Sequence, residues 1–412
     1  MKIIMFFVKQ IKRIRIRICV LIMICLILSY VLEIGLNVFC SSMFTTIVAA
    51  FRAADQTHLD PSNHFNENKK TNYETKASVM NTTTLPEYPT KFVLINTYMR
   101  SGSTIVGSLL GHHDKAFYFY EPLLKMQVFR YINGSKLCEY TRPVCRDGNG
   151  VRETSLRYIS DIFNCKLRKH INKYNPTIHF NGGQLGPKWE AFQDCKSKKQ
   201  STDKCLGVMD KVCENASYRV IKSLRLSMMD TAYLLEKFPN LYVFQLVRDP
   251  RSILNSHIFT SWYPVELQNI PSITADVKTQ CRRLRDDIRA GKMLTERYPK
   301  RVRIIQYEDI AIDVWIIKTL YQLIGVDKLL SMDDYVNKTM NRRFDSSKVI
   351  KQEPRFPRYF GYRDSLPFQI VKITQEHCDD VIQQLGFNIF QTEEQLRNPN
   401  ISSILSRLPF EL

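Results

Sequence analysis

The chain has 412 residues, enough for one large domain or two ordinary ones. With 44% hydrophobic and 24% charged residues, its composition excludes a disordered or fibrous protein. Lysine and arginine outnumber aspartate and glutamate by 59 to 40, a formal charge of +19. Such a surface suits an acidic partner, whether nucleic acid, anionic lipid, or an anionic small molecule or glycan.

The N-terminus combines a basic cluster with a long apolar run. Residues 18–32 are uncharged and almost wholly apolar, and further apolar residues follow. About 20 such residues cross a bilayer. Six cations precede the run, which predicts a cytoplasmic tail at 1–17, a transmembrane signal anchor at 18–40 and a lumenal remainder. The alternative is a cleaved signal peptide ending near residue 50, and both interpretations place the remainder in the secretory pathway.

Cysteines and glycosylation sequons agree with that compartment. Eight cysteines follow the predicted anchor: Cys138, Cys145, Cys165, Cys195, Cys205, Cys213, Cys281 and Cys378. An even number in an oxidising lumen indicates disulfides, although the sequence does not reveal their pairing. Zinc is the rival, but no C-x2-C pair occurs, so no metal is expected. Five N-x-[ST] sequons occur, at Asn81, Asn133, Asn215, Asn337 and Asn400, and they fit glycosylated lumenal loops. In that compartment nucleic acid is not expected as a partner.

Beyond the predicted anchor, the composition and pattern of the sequence change twice. Residues 41–88 are mostly polar, without helical or strand periodicity, and predict a flexible stem. From residue 89 to 392, short apolar runs alternate with helix-like segments, which predicts a P-loop-like α/β domain with three α/β/α layers and a mostly parallel central sheet. Six of the eight cysteines fall within 133–217, a predicted disulfide-tied insertion. Residues 393–412 are predicted to be a C-terminal tail.

Individual elements of this domain follow from the apolar pattern. The predicted strands are 92–96, 219–222, 241–247 and 302–306. The predicted helices are 105–110, 227–238, 276–297, 310–324 and 374–385.

The segment 96–104 joins the first strand to the first helix and has the properties of an anion-binding turn. The N–H groups and dipole of a helix N-terminus attract negative charge. Candidate binding residues are Arg100, Ser101, Gly102, Ser103 and Thr104. Gly102 would allow a phosphate to approach the backbone, while the hydroxyls and Arg100 would donate hydrogen bonds. An ordinary strand–helix turn with a Ser or Thr cap is the alternative. The Walker A lysine is absent, which disfavours a nucleoside triphosphate with Mg2+.

A second strand–helix turn, at 246–256, carries Arg248 and Ser256. They are eight positions apart, about two helical turns, so both could reach one phosphate. Asp249 can cap the helix, and Pro250 suits its first turn. A helix start with two solvated arginines is the alternative.

Glu121 ends an aromatic run about twenty residues after the first turn, and it is a candidate general base. Partial burial is expected to raise its pKa. A structural carboxylate paired with a nearby cation is the alternative. His112 and His113 are rival bases, although both are expected on the helix surface.

Together these motifs resemble the paired 5′-phosphosulfate and 3′-phosphate loops of the sulfotransferase family. The match is closer to the Golgi carbohydrate 6-O-sulfotransferases, which modify galactose, N-acetylgalactosamine or N-acetylglucosamine. Their patterns T-Y-x-R-S-G-S-T, F-Y-x-x-E-P-L and L-V-R-D-P-R-x-x-x-x-S occur here at Thr97–Thr104, Phe117–Leu123 and Leu246–Ser256. Weaker similarity occurs at Lys222–Arg225, Tyr307–Asp309 and Leu385–Phe387. His257 departs from the pattern, because relatives usually carry arginine there.

The resemblance implies in-line sulfuryl transfer from 3′-phosphoadenosine 5′-phosphosulfate to a sugar hydroxyl. Residues 100–104 would hold the 5′-phosphosulfate, with Arg100 also stabilising charge during transfer. Arg248 and Ser256 would hold the 3′-phosphate, and Glu121 would take the proton. A glycan or glycosaminoglycan acceptor, anionic in view of the basic surface, and a type II Golgi membrane location follow from the same resemblance.

Two other classes of function remain open. A lumenal glycan- or lipid-binding protein could keep the fold without the chemistry, but both turns and Glu121 are intact. A nucleotide-dependent phosphotransferase is disfavoured by the missing Walker lysine. Lys222 is a further candidate for contacting the leaving oxygen.

Overall fold

The computed structural model describes residues 90–124, 129–170, 187–313, 315–326 and 355–407. The predicted anchor at 18–40 and stem at 41–88 lie outside these ranges. Among the helices within them, none combines the length and apolar character that crossing a membrane requires.

A five-stranded, wholly parallel sheet forms the centre of the domain, as the strand–helix alternation predicts. Its strands are β1 (Lys91–Asn96), β2 (Ala116–Tyr120), β6 (Tyr218–Ser223), β7 (Leu241–Val247) and β8 (Val302–Gln306). Their order in space is β2-β6-β1-β7-β8. In β1, Leu94 belongs to one buried cluster, whereas Val93 and Ile95 belong to another. Because alternate residues enter different cores, helices cover both faces of the sheet.

The helices pack on these two faces and at the end of the sheet. They are α1 (Ser103–Gly111), α2 (Val151–Phe163), α3 (Glu190–Ser197), α4 (Thr202–Glu214), α5 (Thr231–Lys237), α6 (Pro250–Ile258), α7 (Ile270–Arg297), α8 (Tyr307–Ile312), α9 (Ile316–Ile324), α10 (Tyr362–Ser365), α11 (Phe368–Gln384) and α12 (Glu393–Arg397). A small antiparallel sheet, absent from the sequence predictions, is formed by β3 (Arg130–Asn133), β4 (Lys136–Glu139) and β5 (Cys145–Asp147).

All eight cysteines that follow the predicted anchor form disulfides, as their even number indicates. Three of the bonds close loops inside the predicted insertion: Cys138–Cys145, Cys165–Cys213 and Cys195–Cys205. The fourth, Cys281–Cys378, joins α7 to α11. Three disulfides therefore cross-link the insertion internally, and the fourth joins the two long helices to each other.

Part of the predicted tail packs on the domain. Leu396 is fully buried, and the guanidinium of Arg363 donates to the carbonyl oxygens of Leu396, Asn398 and Ile401 at 2.7–2.8 Å. These bonds satisfy a buried cation and attach residues 396–401 to α10.

Candidate active site

The sheet topology brings the sequence motifs together at one edge. The chain leaves β1 toward β2 on one side of the sheet, and it proceeds from β7 to β8 on the other. β1 and β7 are hydrogen-bonded neighbours, with Asn96 opposite Gln245. A crevice opens at such a reversal, at the carboxyl ends of the strands, and ligands of open α/β sheets bind there.

The first turn has a conformation that only glycine accommodates well at one position. Gly102 precedes α1 with a φ of 84°, and a Cβ there would lie 2.1 Å from the ring of Tyr307. Arg100 also has a positive φ, 63°. The sequence predicts that Gly102 lets a phosphate approach closely. In the structure, glycine is required first by the left-handed turn and by the tyrosine ring.

The hydroxyls of this turn point in different directions. Ser103 and Thr104 line the cavity at the edge of the sheet. Ser101 is fully buried, and its hydroxyl donates to the carbonyl oxygen of Tyr98 at 2.8 Å and lies 2.5 Å from the hydroxyl of Thr97. The Ser101 side chain therefore stabilises the turn from inside instead of facing the cavity.

The two predicted turns contact each other directly. Nε of Arg100 donates to Oγ of Ser256 at 2.8 Å, and Nη1 of Arg248 donates to the carbonyl oxygen of Arg100, also at 2.8 Å. The Arg248 guanidinium lies 4.8 Å from the ring centroid of Tyr307, within cation–π range. All three predicted side chains line the same cavity, so one ligand could contact both turns.

Two buried acidic residues, Glu308 and Asp249, lie next to Arg248. Oε1 of Glu308 lies 3.8 Å from Nε of Arg248 and accepts a hydrogen bond from the backbone N–H of Asp249 at 3.2 Å. Burial raises the pKa of Glu308 to about 8, although Arg248 opposes the rise. Asp249 caps α6 as predicted, accepting from the backbone N–H of Arg251, and it also pairs with the buried Arg251 guanidinium.

Glu121 lies at the carboxyl end of β2 as one member of a buried ion cluster. Its two carboxylate oxygens accept hydrogen bonds from Nζ of Lys222 at 2.6 Å and from Nη1 of Arg225 at 2.7 Å. Burial alone would raise the pKa of Glu121, but Lys222 and Arg225 together lower it to about 2. The prediction of a raised pKa is therefore wrong, because both cations come from the end of β6, far away in the sequence.

Lys222 links the cluster to the first turn. Its ammonium lies 3.3 Å from Oγ1 of Thr104 and 3.9 Å from the ring centroid of Tyr120. The first turn itself contains no lysine, but Lys222 of β6 lies next to it in the folded structure. Sequence reasoning named Lys222 only as a weak candidate, and it included Arg225 only in a weak motif similarity.

The cavity has a volume of about 480 Å3 and a strongly positive lining. Five cations line it: Arg100, Lys222, Arg225, Arg248 and Arg358. Glu121 is the acid among the lining residues. Five positive charges against one negative fit a ligand with several negative charges, such as a bisphosphorylated nucleotide. Within the described ranges, no group of three or more His, Cys, Asp or Glu side chains could hold a metal ion.

The histidines do not line this cavity. His112 follows the last residue of α1 and is partly buried, which lowers its pKa. His113 is buried against the rings of Tyr218 and Tyr321, so the prediction that it lies on the helix surface is wrong. α1 spans nine residues, which places both histidines about 13 Å from the turn that begins it.

His257, the residue that departs from the family pattern, is also buried. Its ring stacks on Tyr263 with centroids 3.8 Å apart, and its Nδ1 lies 3.2 Å from Oδ2 of Asp276. The hydroxyl of Tyr263 donates to the other Asp276 oxygen at 2.8 Å. His257 therefore positions the loop after α6, one residue beyond the cavity-lining Ser256.

The fold and this cavity define an α/β protein with a cationic cavity formed by two strand–helix turns. Residues 90–400 match the family described as "Sulfotransferase domain". The chain therefore belongs to the sulfotransferase family and is an enzyme that uses 3′-phosphoadenosine 5′-phosphosulfate as donor.

Individual relatives are distant but align over most of their length. Carbohydrate sulfotransferase 1 of Homo sapiens is 25% identical over 355 residues, which cover 76% of this chain and 84% of the relative. The Danio rerio protein of the same name is 26% identical over 358 residues, covering 77% and 83%. Carbohydrate sulfotransferase 5 of Mus musculus is 24% identical over 352 residues, covering 76% and 85%. A solved sulfotransferase domain from a Synechococcus olefin synthase is 16% identical, covers 71% of this chain and 96% of that domain, and has a TM-score of 0.33.

Proposed function

We propose that the protein transfers a sulfuryl group to a hydroxyl of a glycan or glycosaminoglycan, at the 6-position of a galactose, N-acetylgalactosamine or N-acetylglucosamine residue. The observation that carries this proposal is the direct contact of the two predicted turns within one cationic cavity. The names of the relatives, carbohydrate sulfotransferases 1 and 5, support a sugar as acceptor.

The side chains divide between the two ends of the donor. The backbone of the first turn, with Ser103 and Thr104, holds the 5′-phosphosulfate at the N-terminus of α1. Arg248 and Ser256 hold the 3′-phosphate. The Arg100 side chain extends from the first turn to Ser256 of the second, so its guanidinium can stabilise charge on the donor near either turn. Ser101 contributes indirectly, by fixing the shape of the turn.

Glu121 and Lys222 exchange partners during the reaction. In the ion cluster, Glu121 is fully ionised but weakly basic, because its pKa is about 2. A bound phosphosulfate next to Thr104 competes for the Lys222 ammonium, which lies 3.3 Å from that hydroxyl. Losing part of this pairing raises the pKa of Glu121, and the carboxylate becomes a better acceptor for the proton of the sugar hydroxyl. Lys222 then stabilises the charge on the departing phosphate.

The cellular setting belongs to the same proposal. We infer a single-pass type II protein of the Golgi membrane, with its anchor at 18–40, a stem at 41–88 and a lumenal catalytic domain from residue 89. The disulfides fit an oxidising compartment. Sequon residues Asn215 and Asn400 are exposed, as glycosylation requires.

A transfer assay tests the proposal. The purified full chain is incubated with radiolabelled donor and a panel of keratan, chondroitin and N-glycan acceptors. We expect label on at least one acceptor, and a loss of about 10²–10³ in turnover when Arg100 or Arg248 is changed to alanine. Arg289→Ala, on the exposed face of α7, is the matched control and should keep wild-type turnover. Transfer by both variants at the wild-type rate would overturn the site assignment.

A further inference from the structure

A second cavity lies next to the proposed reaction cavity, and an aromatic pair joins them. Trp262 lines the first cavity, and Phe129 lines the second, which has a volume of about 620 Å3. The two ring centroids are 6.3 Å apart. Phe129 and Trp262 each also contact Tyr263, at 6.1 Å. The boundary between the cavities is therefore a packed aromatic cluster.

Trp262 is unusual because its ring is held in place and yet exposed. The side chain is 55% exposed, although the cluster contains the buried Tyr263, which hydrogen-bonds Asp276 and stacks on His257. Sugar rings have an apolar face of C–H groups, and tryptophan offers the largest flat apolar surface to such a face. A large exposed aromatic at the rim of a binding cavity indicates a contact for a ligand.

The second cavity also has a positively charged lining, and its charged residues do not belong to the motifs that form the first cavity. Arg130 and Arg142 line it together with Glu139. Both carboxylate oxygens of Glu139 are already paired, with Nε of Arg142 at 2.8 Å and with Nη2 of Arg146 at 3.2 Å. The lining thus has two guanidiniums against one carboxylate, and Arg146, outside the lining, takes up part of the Glu139 charge. The resulting net positive charge suits a sulfate or carboxylate group on the ligand.

The segment that carries Arg142 is held in shape. It lies within the loop closed by the Cys138–Cys145 disulfide, and the backbone N–H of Glu139 donates to the carbonyl oxygen of Val144 at 2.9 Å. The N–H of Tyr140 donates to the carbonyl oxygen of Phe129 at 3.0 Å, which fixes this loop to the aromatic cluster. A preorganised surface loses less entropy when it binds a ligand.

We propose that this second cavity is an acceptor subsite for an anionic glycan. A sugar next to the reacting residue stacks on Trp262, and a sulfate or carboxylate farther along the same chain binds Arg130 and Arg142. This inference rests on the proposed function, and it adds the place where an extended, charged acceptor binds outside the reaction cavity.

Binding titrations of the full chain test the subsite separately from catalysis. The protein is saturated with 3′-phosphoadenosine 5′-phosphate and titrated with three probes of equal length. One is a desulfated, neutral keratan oligosaccharide, one is its sulfated counterpart, and one is an unsulfated chondroitin oligosaccharide that carries only carboxylates. The two anionic probes distinguish sulfate from carboxylate as the recognised group.

We expect at least one anionic probe to bind more tightly than the neutral one. Trp262→Ala should weaken binding of that probe about tenfold or more. The double variant Arg130→Ala/Arg142→Ala should reduce the ratio of anionic to neutral affinity about tenfold. The matched controls are Arg289→Ala and Trp315→Ala, the latter at a tryptophan of similar exposure (54%) just before α9. Both should bind as the wild type does.

Three results would overturn the subsite. These are equal affinity of the wild type for neutral and anionic probes, an unchanged affinity in Trp262→Ala, or an unchanged ratio in the double arginine variant. The proposed function fails differently, because its failure would leave every acceptor of the transfer assay unlabelled by the wild type, whereas a failed subsite leaves that transfer intact. Binding of 3′-phosphoadenosine 5′-phosphate is measured first in every variant, so that a damaged donor site is recognised.

Discussion

Replacing Glu121 with glutamine removes the carboxylate that Lys222 and Arg225 share in the ion cluster, and the structure predicts a large loss of stability. Both cations are 1% exposed. Removing one member of a buried ion pair typically costs about 3–5 kcal/mol, because the remaining charge stays buried. The pKa gives a similar figure: a fall from 4.5 to about 2 corresponds to about 3 kcal/mol of folding free energy.

The assay is denaturant unfolding of the full chain, with Glu139→Gln as the matched control. Glu139 also pairs with two arginines, but these are 68% and 55% exposed, so its replacement should cost less than about 1 kcal/mol. We further expect 3′-phosphoadenosine 5′-phosphate to stabilise Glu121→Gln more than the wild type, because its 5′-phosphate supplies the missing negative charge.

The same variant has a defined pH dependence. The pKa of Glu121 is lower in the folded protein than in the unfolded chain, so its contribution to stability is complete above pH 4.5 and is lost as the pH falls toward 2. The difference between wild type and Glu121→Gln should therefore shrink below pH 4.5. A Glu121→Gln cost no larger than that of Glu139→Gln, or a difference independent of pH, would refute the buried-cluster reasoning.

Three further perturbations have clear expected outcomes. The pKa of Glu308 is about 8 in the folded protein against 4.5 for a free glutamate, so the free energy of unfolding should fall as the pH rises through this interval. In urea titrations at several pH values, Glu308→Gln should remove part of that fall. Parallel stability curves for the two proteins would contradict this expectation. Gly102→Ala places a Cβ against Tyr307 in a left-handed turn. Calorimetry should therefore show an affinity for 3′-phosphoadenosine 5′-phosphate that is at least about tenfold weaker. Wild-type affinity would show that the turn does not require glycine. Affinity for the same nucleotide should decrease steadily with added salt, and a flat response would argue against the cationic cavity.

The buried strands could be predicted from sequence because each is a continuous apolar run. The strands 241–247 and 302–306 have the predicted bounds. β2 was not predicted as a strand, since its aromatic residues were interpreted as the surroundings of Glu121. The predicted helix at 310–324 is two helices, α8 and α9. The first ends at Ile312. The next residue, Asp313, has an extended backbone, and its carboxylate accepts from the N–H of Trp315.

The two turns of the site could be predicted because each is formed by residues that are close in sequence. The ion cluster could not, because its members are far apart in sequence. Arg248 and Ser256 lie within one strand–helix turn, whose cap and spacing are visible in eleven residues. Glu121 meets Lys222 only because β2 pairs with β6 and its N–H donates to the Lys222 carbonyl oxygen. That register depends on about 100 intervening residues, so the sign of the pKa shift at Glu121 could not be derived from its neighbours in sequence.

The central claim is that the two turns hold opposite ends of one nucleotide, and a ligand-truncation cycle tests it most directly. Calorimetry compares 3′-phosphoadenosine 5′-phosphate with adenosine 5′-monophosphate, which lacks the 3′-phosphate, in the wild type and in Arg248→Ala. We expect the missing phosphate to weaken binding roughly tenfold to a hundredfold in the wild type but only slightly in Arg248→Ala. An equal loss in both proteins would contradict the assignment of Arg248 to the 3′-phosphate, and with it the shared site.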